Sequence, residues 1–300
     1  MTEEEYMQAV REEEEKNGTG QTGPEMDPDS IVWTEAETIG AGQDIINILL
    51  IGQDSRSSKR SRSDAMILCT LNKATKTLTM SSFMRDMYVQ IPGYQDNRIN
   101  ASYALGGMEL LDSCLKKNFG VEIDGNIEVN FEGFEKVIDA IGGVDIDLTQ
   151  AEVNFLKKYG SMDRPVSSKN WKFKVGVNHL NGAQALAYAR NRGTGNGDFS
   201  RTNRQRTVLN AVLEKAKNMD LNQIMKLIKE VLPLLTTDLT DAQILGFAVE
   251  VSPILTQLEL KTQQIPAEGA FKYASMRGMH VLVPDLEQNR GILKEIMKTN

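Results

Sequence analysis

Histidine and cysteine are scarce. Two of each stand in 300 residues: His179, His280, Cys69 and Cys114. No pair has metal-ligand spacing, which excludes a His/Cys zinc centre. The cysteines lie in an apolar strand-like run and a helix-like run. They read as two buried free thiols, with a disulfide as the alternative, since sequence carries no distance. No run of 18 apolar residues is present, so no segment reads as a bilayer span. The Glu-rich start has no apolar core of a signal peptide. The chain therefore reads as soluble, or as an ectodomain separated from its anchor. Walker-type loops, a G-x-G-x-x-G fingerprint and a G-x-S-x-G elbow are all missing, which weakens nucleotide-dependent and serine-hydrolase readings.

Basic residues are also in deficit, 34 against 41 acidic, for a net charge of −7. That balance disfavours a broad nucleic-acid footprint. The deficit is local: residues 1–40 hold twelve acidic side chains and only Arg11 and Lys16 as bases. Residues 1–43 read as an acidic, flexible lead-in with a weakly apolar helix at its start and a Gly/Thr/Pro linker. Residues 44–300 read as one domain, 40% of the whole chain being hydrophobic.

The body alternates strand and helix patterns. Residues 45–51, 65–71 and 77–82 are continuous apolar or β-prone runs, the last two close enough for a hairpin. Helical periodicity marks 107–119, 132–141, 183–190, 201–218, 221–232, 242–251 and 292–297, and 144–148 alternates as a half-buried strand. The expectation is an α/β fold with a mixed sheet. Met66, Met80, Met84, Met87 and Met108 read as core packing rather than as a ligand groove.

Two segments carry the candidate chemistry. Asp54 follows the first strand, and Asp64 precedes the second. If those strands are antiparallel, both carboxylates meet at one sheet edge. The hairpin then returns the third strand's end, with Arg85-Asp86, to that edge, where ligands of α/β sheets favour strand-end crevices. Two carboxylates suit Mg²⁺, which leaves its other positions to phosphate and water. The alternative is surface pairing of Asp54 and Asp64 with Arg56 and Arg62. The second segment places Arg190, Arg192, Arg201, Arg204 and Arg206 within 17 residues, with Asp198 as its one acid. Arg201, Arg204 and Gln205 share a helical face near the helix start, behind Ser200 as the expected N-cap. Cations are disfavoured there by the helix dipole, but free N–H groups with arginines make an anion site. The alternative is arginines lying over apolar surface.

Ordered motifs then add a likeness. Gly52-x-Asp54-x-Arg56, Arg62-Ser63-Asp64, Arg85-Asp86 and Arg98-Ile99-Asn100-Ala101 come first. Phe131-x-Gly133-Phe134 and Gly142-Gly143-Val144 follow. Then come Leu180-Asn181-Gly182-x-x-Ala185-Leu186-Ala187-Tyr188-Ala189-Arg190-x-Arg192 and Gly197-Asp198-Phe199-x-Arg201-x-x-Arg204-Gln205. The set resembles the LytR-CpsA-Psr family, firmly over residues 44–215. Ala65 stands where the family usually has Thr, and Phe83-Met84 where it has Ile-Pro; neither change removes a charge. The family's usual N-terminal membrane helix has no counterpart in residues 1–43.

The resemblance implies an αβα sandwich, a mixed central sheet flanked by helices. It implies transfer of a glycopolymer such as teichoic acid or capsule from a polyprenyl-pyrophosphate carrier to peptidoglycan, outside the cytoplasm and in touch with the membrane through the lipid carrier. Carried over, Asp54 and Asp64 hold Mg²⁺. Arg62, Arg85, Arg190, Arg192, Arg201 and Gln205 hold the pyrophosphate, with Arg204 beside them, and the lipid tail lies in an apolar groove. Arg85, Asp86 and Arg192 are the candidate catalytic residues. Pyrophosphate hydrolysis and non-catalytic carrier binding are the competing functions.

Overall fold

The computed structural model describes residues 2–17, 23–40, 42–53, 63–159 and 171–298. The chain opens with helix α1 (Glu3–Asn17). Strands β1 (Ile45–Gln53), β2 (Ser63–Asn72), β3 (Thr77–Phe83), β4 (Tyr88–Val89) and β5 (Asn97–Arg98) follow. Next come α2 (Ile99–Phe119), β6 (Gly125–Asn130), α3 (Phe131–Ala140), β7 (Val144–Leu148), α4 (Gln150–Tyr159) and β8 (Gly176–Leu180). Then come α5 (Gly182–Ala189), α6 (Gly197–Ala216), α7 (Leu221–Val231), β9 (Thr236–Thr237) and α8 (Asp241–Val251). The chain ends with β10 (Glu259–Ile265), β11 (Phe271–Met276), β12 (Met279–Pro284) and α9 (Leu286–Ile296). These elements form two compact units, residues 1–127 with 259–300 and residues 128–258.

In the first unit the strands lie in the order β10-β3-β2-β1-β6. β2 is antiparallel to both β1 and β3, so β1 and β3 run the same way. β10 joins β3 in parallel, which makes the sheet mixed. The apolar runs of β1 and β2 bury Leu49, Ile51, Met66 and Leu68 against Leu111, Leu115 and Phe119 of α2. Phe83 meets Phe119 edge to face, with ring centroids 5.3 Å apart. Met66, Met80, Met84 and Met87 are buried, as core packing requires. α2 begins eight residues before the periodicity suggests, and its two halves meet at Gly107, whose φ of 73° no helix accommodates. Gly120 ends α2 in the left-handed region, and a Cβ there would collide with the Glu37 carbonyl. Only glycine meets both demands.

The acidic lead-in is built into this unit. Tyr6 and Val10, one helical turn apart, are fully buried in the core, and the Tyr6 hydroxyl donates to Asn100 Oδ1 at 2.8 Å. Further on, Met26 N–H donates to the Ser275 carbonyl and Ile39 N–H to the Gly120 carbonyl. Arg290 donates to the Thr34 hydroxyl and the carbonyls of Thr34 and Glu35. Two well-spaced apolar side chains therefore dock a helix whose overall composition is charged.

In the second unit β7 and β8 form an antiparallel hairpin. Ile138, Val144, Ile146, Leu156, Leu180 and Tyr188 fill its core. Asn181 and Gln184 form a capping box that starts α5, the arrangement that satisfies two otherwise orphaned N–H groups. α7 and α8 contain no fully buried residue, although Ile224, Leu227, Ile228, Ile244 and Phe247 are each partly covered. No described helix is long and apolar enough to cross a membrane, and both cysteines are free thiols.

Candidate functional site: two carboxylate-braced arginine sets

The first set lies at the end of the sheet. Gln53 and Ser63 are register partners across β1 and β2, so the chain leaves and re-enters the sheet at one edge. Asp54 and Arg62 fall between them, outside the described residues. Asp64 and Arg85 come together as the strand directions require: Arg85 Nη1 lies 2.7 Å from Asp64 Oδ1. On its other side Arg85 Nε is 3.6 Å from Asp86 Oδ2, and Asp86 Oδ1 is 3.6 Å from Arg98 Nε. Arg98 is buried and donates to the His280 carbonyl. Charges thus alternate Asp64, Arg85, Asp86, Arg98. Arg85 is 12% exposed, so its guanidinium is aimed by carboxylates on both flanks rather than free to swing. Asp86 Oδ1 is buried and makes no hydrogen bond among the described residues. Arg98, quoted in the sequence only as part of a motif, is the residue that sequence reasoning left without a task.

The second set lies around the start of α6. That helix begins at Gly197, a turn earlier than expected. Ser200 is therefore not the N-cap; its hydroxyl accepts the Asn196 N–H at 2.6 Å. The earlier start puts Asp198 in the first turn, where a negative charge suits the helix dipole. Asp198 then joins two of the arginines: its Oδ1 is 3.2 Å from Arg192 Nε and its Oδ2 is 3.3 Å from Arg201 Nη2. Arg201 is 3% exposed, while Arg192 stands more open. Gln205 is partly covered, and its Oε1 has no hydrogen bond among the described residues. Arg190 ends α5 and lays its guanidinium over the Phe131 ring, 4.1 Å from the centroid, a cation–π contact that holds it flat.

Arg204 has a different task from its neighbours. Nε donates to Glu152 Oε1 at 2.7 Å, Nη1 to the Asn191 carbonyl at 2.9 Å and Nη2 to the Thr194 carbonyl at 3.0 Å. With the Thr194 hydroxyl accepting as well, four of its five N–H groups are used. Arg204 is a strut that pins the glycine-rich loop between Arg192 and α6, its donors taken by protein acceptors where a phosphate-binding role is expected from the sequence. Burial alone pushes the Glu152 carboxyl up. The Thr149 backbone and hydroxyl and the Arg204 guanidinium outweigh this and hold it below the usual carboxylate range. Sequence offered no signal for Glu152, 52 positions away from Arg204.

For a divalent metal, the donor set decides. No group of three His, Cys, Asp or Glu side chains is assembled among the described residues. Mg²⁺ needs no such cage, since it takes one or two carboxylates and completes its shell with phosphate and water. Asp64, an oxygen donor beside an arginine, fits that habit.

The residues are matched from 4 to 297 by the model of the LytR_cpsA_psr family. A teichoic acid transferase of Bacillus mycoides, TagU, is 33% identical over 227 residues, 75% of this chain and 69% of its own length. Regulatory protein MsrR of Staphylococcus aureus is 37% identical over 58% of this chain and half of its own length. The chain thus spans between about half and two thirds of such relatives. The solved structure of the family protein YwtF (TagT) with bound octaprenyl pyrophosphate lipid superposes with a TM-score of 0.65. It is 25% identical, over 85% of this chain and 91% of that one. With the expected mixed sheet in place and the family model matched over residues 4–297, this chain belongs to the LytR-CpsA-Psr family.

Proposed function

We propose that the protein transfers a glycopolymer from a polyprenyl-pyrophosphate carrier to peptidoglycan and releases polyprenyl phosphate, on the outer side of the membrane. The observation that carries this reading is the bracing of arginines by carboxylates in both sets. Fixed guanidiniums match phosphate oxygens through paired N–H donors. TagU is named for such a transfer, and YwtF holds a prenyl pyrophosphate. The partly covered apolar side chains of α7 and α8 are suited to a prenyl chain, which has only apolar surface to offer.

In the proposed reaction an acceptor hydroxyl of the wall glycan attacks the sugar-linked phosphorus. A new P–O bond forms, the bond to the bridging oxygen breaks, and polyprenyl phosphate leaves with that electron pair. Arg62, Arg85, Arg190, Arg192, Arg201 and Gln205 bind the phosphate oxygens, where charge builds, and such preorganised donors supply most of the acceleration. Arg85 and Arg192, each braced by a carboxylate, act on the reacting phosphoryl group. Asp86 accepts the hydroxyl proton. Mg²⁺, when bound, would be held by Asp54 and Asp64 and would supply charge neutralisation of the pyrophosphate.

The test is incubation with a polyprenyl-pyrophosphate-linked sugar and wall glycan, with and without Mg²⁺, read by mass spectrometry. Metal-dependent coupling with polyprenyl monophosphate is expected, and Asp64→Asn is expected to lower it more than tenfold. Free sugar phosphate without coupling would mean hydrolysis. The name of MsrR favours one second reading, a carrier-binding regulator, which predicts binding without turnover.

A further inference from the structure

α6 carries a buried cation that neither braced set uses. Arg206 is 6% exposed. Among the described residues its single side-chain hydrogen bond runs from Nη2 to Asn203 Oδ1, at a long 3.4 Å. Nε and Nη1 are buried without a hydrogen-bond partner among the described residues, and no carboxylate pairs with it there. Arg204, two residues before, uses four donors. The contrast matters because a buried guanidinium without acceptors is costly, and native interiors rarely retain one. Burial lowers its pKa, with no neighbouring charge acting to raise it.

Helix geometry places Arg206 relative to the residues already assigned. At about 100° per residue, Gln205 lies roughly 40° and Arg206 roughly 140° around the axis from Arg201, and Arg206 is about 7.5 Å further along it. Gln205 therefore lies between the two arginines, with its own Oε1 unpartnered. Arg204 points out of this arc, towards Glu152.

We infer that Arg206 is a further anion-binding residue of the α6 set. Its unused Nε and Nη1 take oxygens of a polyphosphate ligand that Arg201 and Gln205 grip from the other side of the arc. The ligand class is a pyrophosphate rather than a single phosphate, because the arc is wider than one phosphate group. The inference rests on the pyrophosphate reading above.

The probe is inorganic pyrophosphate, titrated calorimetrically onto the whole chain with Mg²⁺ present, alongside thermal melts of the ligand-free protein. Four proteins are compared: wild type, Arg201→Gln, Arg206→Met and Arg206→Lys. Expected for Arg206→Met is at least a tenfold loss of pyrophosphate affinity with an unchanged or raised Tm, since a buried charge without a partner has been removed. Arg206→Lys keeps the charge without the planar fork and is expected to lose at least threefold; it also serves if the methionine variant fails to fold. A structural role for Arg206 would instead lower the ligand-free Tm and leave affinity intact, which overturns the inference. Wild-type affinity in both Arg206 variants, with affinity lost in Arg201→Gln, also overturns it while sparing the pyrophosphate reading. No binding by the wild type overturns that reading and the inference with it.

Discussion

At the scale of single residues, the chemistry of this protein depends on which acid each arginine meets. Arg85, Arg192 and Arg201 each meet a carboxylate, whereas Arg204 is consumed by Glu152, the Thr194 hydroxyl and two carbonyls. Sequence spacing groups Arg201, Arg204 and Gln205 on one helical face but cannot say which of them finds a distant acid. The Glu152–Arg204 pair is buried on both sides, 9% and 8% exposed. Removing one member of such a pair strands the other, so Glu152→Ala is expected to cost about 3–5 kcal/mol in urea unfolding. The pair also carries a pH signature. The Glu152 pKa is lowered in the folded state, so its stabilisation is complete above the ordinary glutamate range and lost as pH falls through the folded value. Glu152→Gln should flatten the acid limb of the stability–pH curve; an unchanged limb would remove Glu152 from it. Cys114 contributes nothing of this kind at neutral pH, since burial pushes its thiol up to about 12.

At the scale of elements, legibility followed local pattern. β1, β2 and β3 were legible because continuous apolar runs and a short connection leave few alternatives, and the meeting of Asp64 with Arg85 follows from their directions. β10 was not: Glu259–Ile265 is a largely polar, partly exposed strand, and its parallel partner β3 lies some 180 residues earlier. Nothing local announces such a pairing. α1 is acidic in composition, yet Tyr6 and Val10 dock it into the core. α6 starts a turn before its periodicity suggests because Gly197, a poor helix former on propensity alone, is the first helical residue. α7 and α8 show the opposite case, helices obvious from periodicity that bury none of their residues fully. Their amides are expected to exchange with deuterium well before those of β1 and β2, whose side chains form the first unit's core. Equal protection of α7, α8 and β1 would contradict that ordering. A prenyl pyrophosphate should slow exchange in α7 and α8 if they line the lipid path.

At the scale of the whole molecule, the tethering of the lead-in has an electrostatic consequence. Residues 1–40 hold twelve of the 41 acidic side chains, and Glu25, Asp27, Asp29, Glu35 and Glu37 are exposed on a segment hydrogen-bonded to the first unit. A free acidic tail would average its charge over a wide volume; a tethered one projects a standing negative field. Teichoic acids and similar wall polymers are polyanions, so under the proposed function this field would repel the substrate and bias the direction from which it arrives. Repulsion of this kind extends about one Debye length, roughly 8 Å at physiological ionic strength, and fades in salt. Capture of a polyanionic substrate should therefore quicken as salt rises from low values. Replacing Glu25, Glu35 and Glu37 with glutamine should quicken it at low salt alone, as stopped-flow association rates would reveal. The lead-in would then act as a screen that orders approach rather than as a passive tether.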